Sequence, residues 1–417
     1  MRNNGRNLLV FDSAYTYEML IERNLESFVT CRDLDGLIGH VWSINPLADA
    51  ERPSGDPDRY GPPRIERLAH RHTVIEGRMG RTRYLRWLMP LNFVLAQISL
   101  LVTVLRLCRA HEIAIVRAED PFVNGAYAWL ISRIFKKPLM VGVWGNPGAT
   151  RRNTGRPLMA KAFRTVRVEE AWEGKVLRAA ATVMVQNDDN ASYVASRGVS
   201  PARIARFSVG NALHGAHWVD PLCRVTGLPD LVALGASGIG TVLCITRLIE
   251  EKLPEHAVQA VAELRNVGVE CELVFVGDGG MRESLEVLAT AAGIGDVVFF
   301  AGARDQEWLA RVIPEAAAVV VPLAGRALAE VALGAAPVVA YDIDWHSDLV
   351  ETGSTGELVP FADATAMAGA LGRLIEEPAR ARRLGAGLRD RAMGVMSPAE
   401  INREQAAAYE RLSAGGW

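Results

Sequence analysis

The sequence predicts an α/β protein with two parallel β-sheets, each covered by helices. Its short apolar runs are continuous rather than alternating, which is typical of strands buried on both faces. Helix-length segments separate the runs. The chain has 417 residues, which is enough for two or three domains of ~100–200 residues each.

The first half contains seven candidate strands, each a short run rich in apolar residues. They lie at residues 8–12, 40–44, 73–76, 113–117, 139–144, 181–186 and 204–209. Residues 46–66 are rich in Pro, Gly, Asp and Arg, and this composition predicts a mobile loop.

Residues 85–108 form the most apolar segment of the chain. A helix that spans a membrane needs ~20 predominantly apolar residues, and polar residues such as Asn92 and Gln97 are costly inside it. The pattern therefore favours a buried helix with Pro90 at its start. A second interpretation is a membrane-facing patch, because cations and aromatics alternate just before the helix. These residues are Arg78, Arg81, Arg83, Tyr84, Arg86 and Trp87. A solvated basic helix start is the alternative.

The second half contains five further runs, at residues 242–245, 273–276, 297–300, 319–321 and 338–340. Ligands of such sheets bind outside the carboxyl ends of the strands. Arg247 and Lys252 follow the first run and suit a diphosphate, although they could equally form solvated pairs with Glu250 and Glu251. The glycines at 277–280 follow the second run, where they could serve only the strand-to-helix turn.

The segment after the fourth run, Gly325 to Glu330, has a pattern that suits a nucleotide. Gly325 would let a ligand approach the backbone, and the amides of residues 326–328 would open a helix toward a phosphate. Glu330 follows about one turn later, where it could accept hydrogen bonds from ribose hydroxyls.

Taken together, these motifs resemble the nucleotide-sugar half of the retaining glycosyltransferases of family 4. The matching segments occur in the family's order. They are Thr246-Arg247-Leu248 through Lys252, Val276 through Arg282, Phe299 through Gly302, Gly325 through Glu330, Pro337 through Ala340, and Gly356 through Val359. The resemblance implies the GT-B fold, in which two Rossmann-like, doubly wound domains face an interdomain cleft.

The resemblance also implies a domain plan. Residues 1–215 would bind the acceptor, 216–240 would be the linker, and 241–396 would bind the nucleotide-sugar. The helix predicted within 397–417 would pack back on the first domain. Weaker matches in the first half, around Asp120-Pro121, Val141 to Gly145 and Asn211 to His214, agree with this plan.

By the same resemblance, Arg247 and Lys252 would neutralise the donor diphosphate, and Glu330 would hold the ribose. The base edge would lie against Gly302, Ala303 and Arg304. The phosphates or the donor sugar would meet the backbone at the two glycine-containing turns; these positions are Gly277, Gly325, Arg326, Ala327 and Leu328.

Departures from the family pattern fall on the sugar side, and one of them is Trp144, which stands where the family often has a His near the donor sugar. Pro322 stands where the family has the first Glu of its Glu-x7-Glu pair, and Arg326 could partly replace it. Trp345 stands in a loop of usually small residues, where it would shape the sugar pocket or only pack. Asp342 and Asp344 mimic an Asp-x-Asp metal motif, but the resemblance implies side-chain cations and helix dipoles, so neither metal nor cofactor is expected.

The candidates in the first half for the sugar and acceptor cleft are Tyr15, Tyr17, Asp120, Trp144 and Asn146. The two tyrosines suggest an acceptor with hydroxyls and an apolar face, or else an amphipathic helix start. Asp120 would meet sugar hydroxyls or cap the next helix. Trp144 would stack on a sugar or pack, and Asn146 would bind a hydroxyl.

Two further charged groups in the first half are open to more than one interpretation. Glu119 precedes Asp120 after a strand, where acidic groups often meet sugar hydroxyls. Arg32 could form a local pair with Asp33 or reach the cleft, and the sequence does not decide between the two.

Composition limits the remaining classes. A net charge of −2 and a pI near 6.5 give no signal for nucleic acid. The five cysteines are scattered, which is typical of reduced thiols in a cytosolic protein. No signal peptide is recognised at the start. The protein is therefore expected in the cytoplasm, or peripherally at the inner face of the membrane.

The sequence thus predicts retaining transfer of a sugar, from a UDP- or GDP-linked donor, to an acceptor hydroxyl. Surface polysaccharide or glycoconjugate assembly and natural-product glycosylation are both open as the setting. The alternatives are another GT-B activity, such as an epimerase or hydrolase, and a non-catalytic subunit that binds a nucleotide-sugar and supports a partner enzyme.

Overall fold

A computed structural model describes residues 6–50, 56–160, 162–208, 210–221, 240–323, 325–343, 345–413 and 415. Internal contacts divide the chain into two compact units. The first unit comprises Met1–Ala212 and Pro398–Trp417, and the second comprises Leu213–Ser397. Most of the predicted linker, residues 222–239, lies outside the described residues.

The first unit contains an eight-stranded sheet in the order β3-β4-β2-β1-β5-β6-β7-β8. The strands are β1 Asn7–Phe11, β2 Val41–Asn45, β3 Arg64–Ala69, β4 His72–Glu76, β5 Ile113–Ala118, β6 Leu139–Val143, β7 Thr182–Val185 and β8 Ile204–Arg206. All neighbouring pairs are parallel except β3 with β4. The seven predicted strands are confirmed to within a few residues.

Strand β3 corrects the sequence analysis, which assigned residues 46–66 to a mobile loop. Arg64–Ala69 pairs antiparallel with β4 at the edge of the sheet. Its side chains are largely half-buried or exposed, so it lacks the continuous apolar run of a central strand. A 3₁₀ turn, Pro57–Arg59, precedes it, and residues 51–55 lie outside the described residues.

Helices cover both faces of this sheet. They are Tyr17–Glu22, Ser27–Thr30, Met89–Ala110, Val123–Phe135, Pro147–Thr154, Val166–Ala179, Asp188–Ser196 and the C-terminal Pro398–Ser413. Alternate residues of β1 enter separate apolar clusters, Leu9 and Phe11 on one face and Leu8 and Val10 on the other. Tyr409 of the last helix packs in the second of these clusters.

The helix Met89–Ala110 is only half buried, whereas the sequence favoured a buried helix. Residues spaced by four along one side are buried, among them Leu100 and Val104. The opposite side exposes Leu91, Val94 and Ile98. Hydrophobic periodicity could not reveal this, because both sides of the helix are apolar.

The second unit contains a six-stranded parallel sheet in the order β11-β10-β9-β12-β13-β14. The strands are β9 Thr241–Ile245, β10 Glu272–Val276, β11 Val298–Gly302, β12 Ala318–Val321, β13 Val338–Tyr341 and β14 Glu357–Val359. The helices are Gly215–Trp218, Glu255–Asn266, Arg282–Ala291, Gln306–Val312, Arg326–Leu333, His346–Leu349, Ala364–Glu376 and Pro378–Val395. The predicted class, two parallel sheets covered by helices, is confirmed.

Candidate functional site

Each sheet reverses its strand order at one point, and candidate residues flank both points. In the second unit, β9 lies between β10 and β12, so the chain winds away from β9 in both directions. Arg247 follows β9 and Gly325 follows β12, and these two strands are parallel neighbours. Loops after such strands enclose a crevice at the carboxyl edge, which is where ligands bind in open α/β sheets.

The loop after β9 is anchored by one buried side chain and presents its cations at that edge. Leu248 is fully buried, and its amide donates to the Asp278 carbonyl (3.0 Å). Arg247 is exposed, and no described carboxylate lies within ion-pair distance of it. Lys252 is half-buried at the end of a 3₁₀ turn, Glu250–Lys252, just before the helix Glu255–Asn266. The solvated pair considered for Arg247 is therefore absent among the described residues.

Gly277 lies against this loop in a conformation that requires glycine. Its φ is +144°, and a Cβ placed there would lie 1.9 Å from the Thr246 carbonyl oxygen. Gly279, with φ +158°, approaches the Leu248 carbonyl oxygen in the same way, at 2.3 Å. The glycine-rich turn therefore packs the two loops together, which is a structural role beyond the strand-to-helix turn considered for it.

Substituting Gly277 by Ala is expected to destabilise the protein by about 2–5 kcal/mol, because the added methyl must displace backbone and adopt a strained φ. Gly280 gives a matched control, since a Cβ added to it would meet nothing within 4 Å and its φ is not positive. Urea unfolding followed by circular dichroism measures both variants. Equal stabilities of Gly277→Ala and Gly280→Ala would contradict the packing role.

The end of β11 continues the same edge. The Gly277 amide donates to the Gly302 carbonyl (2.9 Å), and Gly302 has φ +71° with open space beside it. Ala303 and Arg304 are exposed, and the Arg304 guanidinium lies 5.2 Å from the centre of the Trp308 ring. The three residues predicted to meet the base thus lie together at the carboxyl edge.

Glu330 belongs to a buried polar network. Gly325 is the N-cap residue of the helix Arg326–Leu333, and no side chain at this position caps the first amides of the helix. Glu330 is 1% exposed and forms an ion pair with Arg326, one turn earlier. With the Gln306 amide nitrogen donating, that nitrogen lies 2.8 Å from Glu330 Oε1 and 3.0 Å from His217 Nε2. Arg326 therefore pairs with Glu330. Ala327 and Leu328 follow Arg326 in the first turn of the same helix.

Sequence reasoning missed Gln306 and His217, both of which are buried. Neither residue belongs to a recognised motif, and each reaches Glu330 or its partner only because short helices pack together. Pro322, at the position of the missing Glu, is buried at the end of β12.

The loop after β13 buries an imidazole that the sequence left without a role. Trp345 is 8% exposed and therefore packs, and His346 beside it is fully buried. Burial, with the nearby charge of Lys252, lowers the pKa of His346 to about 4. Its Nδ1 donates to the Tyr341 carbonyl (2.6 Å), so Nε2 carries the lone pair. That buried acceptor has no described partner; Asp344 lies outside the described residues.

The first unit reverses its strand order between β1 and β5, where a buried ionic network lies. Arg32 is 5% exposed, forms an ion pair with Asp12 and lies 3.6 Å from Glu119. The Nε of Arg117 lies 2.7 Å from Glu119 Oε1, and its Nη1 donates to the Tyr409 hydroxyl (2.8 Å). Of these residues the sequence singled out only Arg32 and Glu119, because the others meet over long sequence separations.

Trp144 joins this network from the end of β6. Its indole Nε1 donates to Glu119 Oε2 (3.0 Å), and the half-buried ring packs on the apolar cluster below. A Cβ at Gly142 would lie 2.6 Å from the indole nitrogen, so glycine makes room for the ring. The packing alternative considered for Trp144 matches these contacts.

Asp120 lies beside the network, at the start of the helix Val123–Phe135. It accepts from the Phe122 amide (2.7 Å) and from the Asn124 side chain. Burial raises the pKa of Asp120 to about 6, and Asp12 adds to the shift. Because this pKa lies above the usual 3.8, ionisation opposes folding. The associated stability is present below about pH 3.8 and is lost as the pH rises through about 6.

Asn146, Tyr15 and Tyr17 all contact neighbouring side chains or backbone of the first unit. Asn146 caps the helix Pro147–Thr154 by accepting from the Ala149 amide (3.0 Å), and its Nδ2 donates to Asp189 (2.8 Å). Asn followed by Pro at the first helical position was a visible capping signal. Tyr15 packs edge-on against Phe28 at 5.4 Å, and Tyr17 lies under the Arg64 guanidinium at 5.7 Å.

Comparison with known proteins shows what this chain is similar to. Residues 237–391 match the family described as glycosyl transferases group 1. The alpha-D-kanosaminyltransferase of Streptomyces kanamyceticus is 29% identical over 256 residues, which cover 60% of this chain and 65% of that protein. The 2-deoxystreptamine glucosyltransferase of the same organism is 31% identical over 166 residues, 39% of this chain and 41% of that one. The chain thus aligns with less than two thirds of either relative.

Two solved structures show that the fold is GT-B. Anabaena Alr3699/HepE, solved in complex with UDP and glucose, has a TM-score of 0.72 at 15% identity, covering 97% of this chain and 99% of its own. Sucrose-phosphate synthase from Thermosynechococcus elongatus has a TM-score of 0.73 at 19% identity, covering 98% of this chain and 100% of its own. The fold expected from the sequence is confirmed.

Proposed function

We infer that this protein transfers a sugar from a nucleotide-sugar donor to an acceptor hydroxyl. The match of residues 237–391 to the glycosyl transferases group 1 family supports this inference. The observation that carries the inference is the grouping of residues at the strand reversal of that unit. Arg247 and Lys252 follow β9, and the helix Arg326–Leu333 begins after the neighbouring β12. Cations and a helix N-terminus at one sheet edge suit a diphosphate.

In this proposal the chemistry rests on charge stabilisation. Negative charge grows on the diphosphate as the glycosidic bond breaks, and Arg247 and Lys252 stabilise it from fixed positions. Backbone amides from Gly325 to Leu328 meet the phosphates or the sugar. Glu330 holds the ribose, and its ion pair with Arg326, one turn earlier in the same helix, orients its carboxylate. The base lies along Gly302, Ala303 and Arg304.

We further propose that the donor carries UDP or GDP and that the anomeric configuration is retained. HepE was solved with UDP and glucose, which supports the first of these nucleotides. Two of the similar proteins are named for cyclitol substrates, 2-deoxystreptamine and D-inositol 3-phosphate. Such names favour a small polyhydroxylated acceptor and, as a setting, glycosylation of a natural product or glycoconjugate.

A non-catalytic, nucleotide-sugar-binding subunit is the second candidate. It is favoured by Pro322 at the place of an expected Glu, and by Glu330, which already engages Arg326 and Gln306. Such a subunit would bind the donor but would not turn it over.

A thermal-shift panel of UDP, GDP, ADP and dTDP, each alone and sugar-linked, tests both candidates. A ligand at 100 times its Kd stabilises the protein by about 2.7 kcal/mol, which is a shift of several degrees. One base that stands out supports the donor site, and no shift from any of them would contradict it. Turnover of the stabilising donor, with NMR of the product anomer, separates an enzyme from a binding subunit and retention from inversion.

A further inference from the structure

The exposed side of the helix Met89–Ala110 is apolar along its first three turns. Within the helix the exposed apolar residues recur at intervals of three or four, so they form one row, and exposed Trp87 precedes this row just before the helix begins. Their relative exposures are Trp87 75%, Leu91 49%, Val94 51%, Ile98 51% and Val102 38%. A surface helix of a globular protein normally presents polar residues to water on this side. We call these five residues the apolar stripe.

An aromatic residue and several cations adjoin the start of the stripe. Tyr84 is 91% exposed, and Arg81, Arg83 and Arg86 are exposed beside it. No described carboxylate lies within ion-pair distance of these three arginines. From Gly77 to His111 the sequence contains six arginines and neither Asp nor Glu, although the whole chain has a net charge of −2.

The segment before the helix is held in place by a buried side chain. Asn92 is fully buried, and its Oδ1 accepts from the amides of Arg81 (2.6 Å) and Thr82 (3.0 Å). Its Nδ2 donates to the Thr82 carbonyl (2.8 Å). The Trp87 indole donates to the Tyr84 backbone carbonyl (3.1 Å), which orients the indole relative to the backbone of this segment. Groups held in this way lose little conformational freedom on binding.

The helix is the one among the described residues that is long and apolar enough to cross a membrane by length and composition. Its other side, however, packs into the core of the first unit through Leu100, Val104 and Cys108. It therefore cannot leave the unit without exposing that core. A helix in this situation can bind a bilayer only by lying along its surface.

We propose that the apolar stripe and its adjoining arginines dock the protein on an anionic lipid bilayer. Such a surface offers acyl chains for the stripe, headgroup depth for Tyr84 and Trp87, and negative charge for the arginines. A second copy of the chain suits the surface less well. A two-fold contact through this segment would bring arginines against arginines, with no acidic residue of the segment to pair with them.

Flotation of the full-length protein with phosphatidylcholine vesicles, with and without phosphatidylglycerol, tests the proposal. Binding is expected only with the anionic lipid and should weaken as salt is added. Val94→Gln with Ile98→Gln should lower the partition coefficient by at least about ten-fold, because two apolar side chains no longer enter the bilayer. Ile65→Gln, at a position 58% exposed in the same unit, is the matched control and should bind like the wild type.

Charge is tested separately. Arg83→Gln with Arg86→Gln should lower binding by about twenty-five-fold, since each cation near such a surface contributes about five-fold. Arg382→Gln with Arg383→Gln, two exposed positions in the second unit, should have little effect. Thermal unfolding confirms that the variants are folded.

Three results would overturn the proposal. One is a wild type that fails to float with anionic vesicles at low salt. Another is a stripe variant that binds like the wild type. The third is self-association without lipid, measured by sedimentation velocity, that the stripe variant abolishes; this would assign the surface to a second copy. All three readouts are independent of sugar transfer.

Discussion

Lys252→Ala is expected to reduce donor-dependent sugar transfer by about 10²–10³-fold. A loss of this size is typical when an enzyme loses one fixed group that stabilises charge in the transition state. The reason is its position, half-buried at the carboxyl edge of β9 and just before a helix N-terminus. The loss should appear mainly in kcat if the cation acts on the leaving diphosphate, because that charge grows in the transition state. Steady-state kinetics with the donor identified by thermal shift measure both constants.

Arg265→Ala is the matched control for this substitution. Arg265 is an exposed cation at the far end of the same helix, paired with Asp296 at 2.6 Å. Removing it changes the net charge of the unit equally but leaves the strand edge intact. If both variants turned over donor at the wild-type rate, Lys252 would have no catalytic role. Equal losses in both variants would point to a general charge effect.

Arg151→Met is expected to destabilise the protein by about 3–5 kcal/mol, because it leaves two buried carboxylates without their cation. Arg151 Nε lies 2.8 Å from Glu169, and its Nη1 lies 2.7 Å from Glu173. Both glutamates are fully buried, and the Tyr193 hydroxyl donates to Glu173 (2.7 Å). Urea unfolding measures the change in the free energy of unfolding.

Arg152→Met is the natural comparison, since Arg152 is the next residue of the same helix but is exposed. A surface substitution of this kind changes stability by less than about 0.5 kcal/mol. The same stability loss in both variants would show that helix propensity, not the buried network, causes it.

The sequence located the strands of the second unit well. The run at 242–245 lies within β9 and that at 319–321 within β12. These segments are apolar without interruption because both faces of a central parallel strand are buried. The edge strand Arg64–Ala69 carries no such signal, because solvent reaches much of its length.

The candidate site was predicted less completely than the strands. Arg247, Gly277, Gly302 and Gly325 lie at the carboxyl edge, as expected of residues at or just after the ends of strands, and their roles in donor binding stay predictions. Gly277, however, turned out to make room for backbone, and Asn146 to cap a helix. Both outcomes were local possibilities that residue type alone did not decide.

The sequence by itself therefore determined the two sheets, most of their strands, and which loops meet at each carboxyl edge, because chain connectivity and burial act over a few neighbouring residues. Tertiary structure alone decided the partners of the charged groups. Arg117 meets Tyr409 across 292 residues, and Glu330 meets Gln306 through helix packing. Tertiary structure also decided which side of the helix Met89–Ala110 is exposed. These features depend on how helices and strands pack in space. A charged side chain needs a protein partner only where packing removes it from water, and the sequence does not state where that happens.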